Sequence, residues 1–166
     1  MYQLGDLIMY GIHGVCRLVD RENRVVDKKE AQYLVLEPLG QNASRFYVPA
    51  NNPNAMAKLR PVLNRQELEE ILRSDAVRKE NWIETENLRK QYYRELITGG
   101  DRVALLQMVR TLHLHKKAQA EAKRKFHLCD ENFLRDAQRL IETEFAVVLG
   151  IPENEVQDYI LDRMNA

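Results

Sequence analysis

Phe46-Tyr47-Val48-Pro49-Ala50-Asn51-Asn52-Pro53, followed a little later by Asn64-Arg65-Gln66-Glu67-Leu68, marks where the chain changes its repeat. Up to Val48 the apolar residues alternate, as they do on a half-buried strand. Pro49 lacks a backbone donor, and Asn51-Asn52-Pro53 favours a turn, so the strand pattern stops there. Asn64 with Glu67 three residues on has the spacing of a helix capping box, and Leu68, Ile71 and Leu72 then share one helical face. Strands lie before this break and helices after it, which predicts an α+β chain. The expected division is residues 1–60 and 61–166.

Working back from the break, residues 44–48, 32–37, 15–19 and 7–10 are short runs rich in β-branched, aliphatic and aromatic side chains. Gly11, residues 20–23, residues 27–30 and Leu39-Gly40-Gln41-Asn42 separate them with turn-formers and charge. Strands of this length and spacing predict a small antiparallel barrel or a strongly bent sheet. So small a sheet leaves an edge unpaired, and an unpaired edge accepts a partner's strand.

Working forward, Asn81 and Glu84 repeat the capping pattern ahead of Leu88, Tyr92, Leu96 and Ile97. Gly99-Gly100 ends that helix, and Asp101 caps the next, where Leu105, Leu106, Val109 and Leu112 face inward. Asp130 is the expected cap of a further helix carrying Phe133, Ala137, Leu140, Ile141, Glu144 and Val148. Gly150 closes it, and Pro152 opens a last short one. Five helices are expected.

Bulk composition excludes several classes. The 166 residues are 45% apolar and 30% charged, ordinary for a globular chain and too apolar for disorder. The longest uncharged run, residues 7–16, is too short to span a bilayer. No basic region or small-residue cleavage site marks a secretory signal, and two distant cysteines, Cys16 and Cys129, fit a reducing cytoplasm. The net charge is zero, yet residues 87–127 hold 10 Lys/Arg against 3 Asp/Glu, while the segments on either side are acidic. A chain so balanced lacks the global field of a protein that coats nucleic acid unaided, so DNA contact is expected through one face and with help.

Within residues 78–127 the candidates for DNA contact are the single tryptophan, Trp82, and Arg89, Lys90, Arg94, Lys116, Lys117, Lys123, Arg124 and Lys125. A lone tryptophan is more often core, but Arg78, Lys79, Glu80 and Asn81 before it are polar, as at a surface. Basic runs are commonly solvated helix faces. If about four of these residues meet phosphates, the salt slope is about −3.6 in log K, with no base readout. His113-x-His115 and His127-x-Cys129 match no standard zinc spacing, and polarity beside the lysine pair explains these histidines more simply. No nucleophile–base pair is evident, so neither enzyme, metal nor cofactor is expected.

Gly5-Asp6-Leu7-Ile8-Met9-Tyr10 and His13-Gly14-Val15-Cys16-Arg17 resemble the opening of the CarD/CdnL bacterial transcription regulators, roughly G-D-x-V-V-Y and H-G-V-G. Tyr33-Leu34-Val35-Leu36 and Val48-Pro49-Ala50 stand where that family has Y-x-V-L and V-P. Gly100-Asp101, residues 112–117 (LHLHKK) and Glu144-Phe145-Ala146 match its helical part. The motifs are weak singly and fairly specific in their order, and they cover nearly the whole chain. Cys16 replaces a usual glycine. Trp82 lies about one helical turn, roughly 3.6 residues, farther from the Gly-Asp break than the family's tryptophan. If the helix is one turn longer Trp82 takes that place; otherwise Glu86 does, and the wedge assignment fails.

The resemblance implies a Tudor-like N-terminal domain docking on the β subunit of RNA polymerase. It also implies a helical domain meeting promoter DNA at the upstream edge of the bubble, with a tryptophan wedge. The same N-terminal module occurs in transcription-repair coupling factors, but no phosphate-binding loop of a helicase is present here. The expected polymerase-side residues are Arg45, Tyr47 and Pro49 at the strand edge, with Arg24 in a hairpin turn. No membrane or small-molecule partner is expected, and the location is cytoplasmic, on the nucleoid through polymerase. The alternative is a protein–protein adaptor whose basic helices bind an acidic partner and never DNA.

Overall fold

In a computed structural model, residues 2–40 and 44–165 are described. The chain divides into two compact units, residues 1–62 and 63–166.

The first unit is an open antiparallel sheet of β1 (Leu7–Tyr10), β2 (Val15–Val26), β3 (Lys29–Pro38), β4 (Phe46–Pro49) and β5 (Leu59–Pro61). The order is β4-β3-β2-β1-β5, so β4 and β5 form the two edges. One face collects Ile8, Cys16, Leu18, Leu34, Leu36, Val48 and Leu59 into a core. Burial there pushes the Cys16 thiol up to about 11.

The strand pattern differs from expectation in instructive places. Residues 20–23, expected as a turn, continue β2 as an exposed ribbon beyond a bulge between Leu18 and Asp20. The bulge shifts the alternation by one residue, so no period-2 pattern spans it. The turn expected at 27–30 stands, at Asp27 and Lys28, both left-handed at φ 53° and 64°, as a two-residue hairpin requires. Arg24 is therefore a strand residue, paired opposite Ala31. The strand expected at 44–48 begins at Phe46. Gln41 and Asn42 of the expected Leu39–Asn42 turn lie outside the described residues. After Pro49 the chain adds α1 (Pro53–Met56), where Asn52 Oδ1 accepts from the N–H groups of Asn54 and Ala55 at 3.0 and 3.2 Å. That turn delivers β5 to β1.

The second unit packs α2 (Arg65–Arg73), α3 (Glu86–Gly99), α4 (Arg102–Glu121), α5 (Leu128–Leu149) and α6 (Glu153–Asn165), with α5 touching the other four. The capping box before α2 is complete: Asn64 Oδ1 accepts from Glu67 N–H at 2.8 Å, and Glu67 Oε1 from Asn64 N–H at 3.3 Å. Asp101 caps α4 through Ala104 N–H at 3.1 Å. Gly100 and Gly150 end α3 and α5 at φ 71° and 68°, which a side chain disfavours.

Two expected caps are absent. α3 begins at Glu86 behind Thr85, not behind Asn81, and α5 begins at Leu128 with Asp130 buried inside its first turn. The inward stripe of α3 is Arg89, Tyr93, Leu96 and Ile97; Leu88 is 58% exposed. Two bidentate ion pairs tie α5 to its neighbours. Arg89 donates to Asp130 at 3.1 Å from Nε and from Nη2. Arg102 donates to Glu144 at 3.0 and 2.7 Å. No helix among the described residues is long and apolar enough to cross a membrane.

Candidate nucleic-acid and polymerase interfaces

Trp82 lies outside any helix, in the irregular segment before α3. That segment is pinned to α4: Asn81 N–H donates to the buried Thr111 hydroxyl at 2.9 Å, and the Asn81 side-chain amide donates to the Ala104 carbonyl at 3.2 Å. An Asn81 fastened this way cannot cap α3, which explains why the helix starts later. The indole is laid on His115, ring centroids 3.7 Å apart and planes 19° from parallel. The Arg89 guanidinium carbon is 4.1 Å from the same indole centroid. Two groups this close to one centroid cannot share a face, so His115 covers one side and Arg89 the other. Nε1 donates to Glu84 Oε2 at 2.8 Å. What remains to meet a partner is the ring's edge.

Arg89 is 4% exposed and reaches the Ile83 carbonyl at 2.9 Å as well as Asp130. It braces the tryptophan segment from within and has no surface to offer a phosphate. A cation over an indole in a dry setting contributes about 1–2 kcal/mol.

Beyond α4, Lys123 turns the chain back at φ 57°, with Arg124 N–H donating to the Gln119 carbonyl at 2.8 Å. Phe126 returns to 6.4 Å from His115, extending the series Arg89, Trp82, His115, Phe126. Lys123, Arg124 and Lys125 sit exposed on this loop. Lys90 pairs with Glu86 at 3.0 Å. That hydrogen bond, and then the nearby Cys129, hold the Lys90 ammonium above its ordinary value, while Lys90 lowers the Glu86 carboxyl. Arg94 is exposed one turn along α3.

Lys116 and Lys117 are not gathered here. They lie about 100° and 200° round α4 from His115. Lys116 bonds Glu131 of α5 at 2.9 Å and lines a different recess. The hollow beside Trp82 carries Glu80 and Glu84, so phosphate is repelled there and favoured on the 123–125 side. Reading the sequence missed His115 and Phe126, which it took as polar surface and passed over. The available signal was the spacing 104, 108, 111, 115, which continues the buried stripe of α4.

In the sheet unit, the four residues expected at the polymerase side fall together at the β4 edge. Arg24 reaches across β3 to place its guanidinium 4.1 Å from the Tyr47 centroid, and it pairs with Glu22 at 2.9 Å. Arg45 pairs with Glu37 at 2.9 Å just before β4, and Pro49 ends the strand opposite Tyr33. Both ion pairs are exposed, so exchanging them for a partner's carboxylates costs little.

The family model of the CarD-like/TRCF RID domain matches residues 2–63, and that of the CarD C-terminal domain matches residues 67–161. No curated protein matches the sequence.

Proposed function

Because this chain belongs to the CarD family of non-enzymatic, RNA polymerase-interacting transcription regulators, we propose that it stabilises the open promoter complex. The β4 edge, with Arg24, Arg45, Tyr47 and Pro49, docks on the polymerase β subunit. The helical unit then meets DNA at the upstream edge of the bubble.

The observation that carries this reading is the braced indole. Inserting an apolar wedge is least costly where bases are already unstacked. A ring held on both faces has little side-chain freedom left to lose on contact. α3 starts at Glu86, so the longer helix that would carry Trp82 to the place of the family's tryptophan is absent and Glu86 holds that place. The wedge reading therefore rests on the braced indole alone, Glu86 being an anion paired to Lys90. Lys90, Arg94 and the 123–125 loop supply sequence-independent phosphate contact, and Arg89 acts through the indole. Such weak contact suffices once the sheet unit holds the helical unit nearby at high effective concentration. Since promoter melting is an equilibrium, the protein shifts it by its differential affinity for the open form.

The test is the open-complex lifetime with purified polymerase. Wild type lengthens it, Trp82→Ala removes most of the gain while polymerase still binds, and Arg45→Glu with Tyr47→Ala abolishes both. If polymerase binds and the lifetime is the same with wild type, Trp82→Ala or no protein at all, the protein is an adaptor that never engages DNA.

A further inference from the structure

We infer that the groove between α4, α5 and α6 docks an acidic amphipathic helix from a partner protein. The groove lies on the α5–α6 side of α4, and Leu114 borders both it and the hollow beside the indole. Toward α6 it opens into a cavity of about 320 Å³ floored by Leu106, Val109, Ile141 and Ile160. Leu114 and Leu161 stand at its lip 41% and 49% exposed. His113 and Gln138 line this cavity and also a second recess of about 410 Å³, so the two are continuous.

That second recess is walled by Lys116, Arg135 and Arg139. Glu131, paired with Lys116 at 2.9 Å, and Glu142, which accepts from the Gln138 amide at 2.9 Å, offset part of that charge. The recess keeps a modest positive excess, to which Arg110 adds in the neighbouring cavity. Lys116 meets Glu131 at one end while Leu106 and Ile141 share the cavity at the other, so α4 and α5 run antiparallel along the groove. The result is a trough with an apolar side, toward α6, and a charged side along α5 from Glu131 to Glu142. From Leu106 to Lys116 it is about 15 Å long, close to three turns of a guest helix.

Duplex DNA offers phosphates but no apolar body to cover Leu114 and Leu161. An acidic amphipathic helix offers both, with aliphatic anchors at i, i+3, i+4 and i+7 and carboxylates on the flanking face. This arrangement also gives Lys116, which stands away from Trp82, a role at the groove.

The test uses the full chain and two synthetic peptides of about four helical turns. Both carry leucine at i, i+3, i+4 and i+7, with glutamate at the other positions in one and lysine in the other. The glutamate peptide saturates in fluorescence anisotropy and shifts the backbone amides of Val109, Leu114, Ile160 and Leu161. Leu161→Asp and Arg135→Glu, both at exposed positions, each weaken it at least about tenfold with the melting temperature held. The lysine peptide fails to bind. The inference is overturned if both peptides bind alike or neither binds, or if the shifts fall on residues 79–90. It is equally overturned if a DNA duplex moves the same four amides, or if sedimentation shows the chain self-associating through this face and Leu161→Asp dissolving the dimer.

Discussion

Arg89 and Arg102 belong to the same basic run and end in the same kind of bond, a buried bidentate pair with an acid of α5, yet they do different things. The Arg102–Glu144 pair joins α4 to α5, and Glu144 also accepts the Leu63 N–H at 3.0 Å, fixing the entry to the helical unit. The Arg89–Asp130 pair does the same for α3 and α5, but its guanidinium carries an indole on top. Charge counted along a sequence therefore misstates charge at a surface. Two of the ten basic residues in 87–127 are neutralised inside, and what distinguishes them is only what rests on them.

The largest effect expected is on folding. Glu144→Ala removes both carboxylate bonds of Arg102 and the acceptor of the Leu63 N–H, costing about 3–5 kcal/mol in denaturant unfolding. The lifetime of the open complex, corrected for folded protein, stays at the wild-type value. A shortened lifetime would show that the two ion pairs are not functionally distinct.

Next comes the salt dependence. If the interior arginines contribute none of it, the loop must. Replacing Lys123, Arg124 and Lys125 together by glutamine lowers the slope of log K against log salt by about 2.7. The swap Arg89→Met with Asp130→Leu leaves that slope untouched. The same swap avoids the cost of a broken buried pair, since apolar pairs commonly replace buried ion pairs without loss, and costs about 1–2 kcal/mol for the Ile83 carbonyl that loses its donor. It removes the cation under the indole, however, and shortens the open complex by about fivefold, on the scale of one cation–π contact.

How much of this was legible in the sequence follows the range of each interaction. The capping box at Asn64, the Asp101 cap and the glycine stops are local, and they stand where their spacing put them. Asn81 and Asp130 had the right residue types for caps, but distant partners claimed them: Ala104 and Thr111 for one, Arg89 for the other. Burying Arg89 also displaced Leu88 outward, because the stripe of α3 is set by Asp130 rather than by hydrophobicity alone. The open sheet was legible as strands but not in its register, since a bulge at Val19 carries no residue signature. The residues expected on the polymerase side converge because Arg45, Tyr47 and Pro49 follow one another along the β4 edge and Arg24 reaches Tyr47 from β2. The residues expected on the DNA side divide because they lie on α3, on α4 and on the loop after it, and adjacent residues of α4 such as Lys116 and Lys117 point about 100° apart.

The smallest effect concerns His115 and decides how the tryptophan makes contact. With His115 stacked at 3.7 Å and Arg89 at 4.1 Å, the indole presents its edge, and the histidine acts as one jaw of a clamp. Removing that jaw in His115→Ala frees the ring to rotate, and reordering it costs about 0.5–1 kcal/mol on binding. The open complex should then decay about two- to fivefold faster, with stability little changed because His115 is only half-buried. The opposite outcome carries equal information. If a base stacks on the indole face, His115 is its competitor, and clearing that face lengthens the lifetime. A longer-lived complex in His115→Ala would replace the braced edge with an unveiled face, while leaving Arg89 as the one support the tryptophan cannot lose.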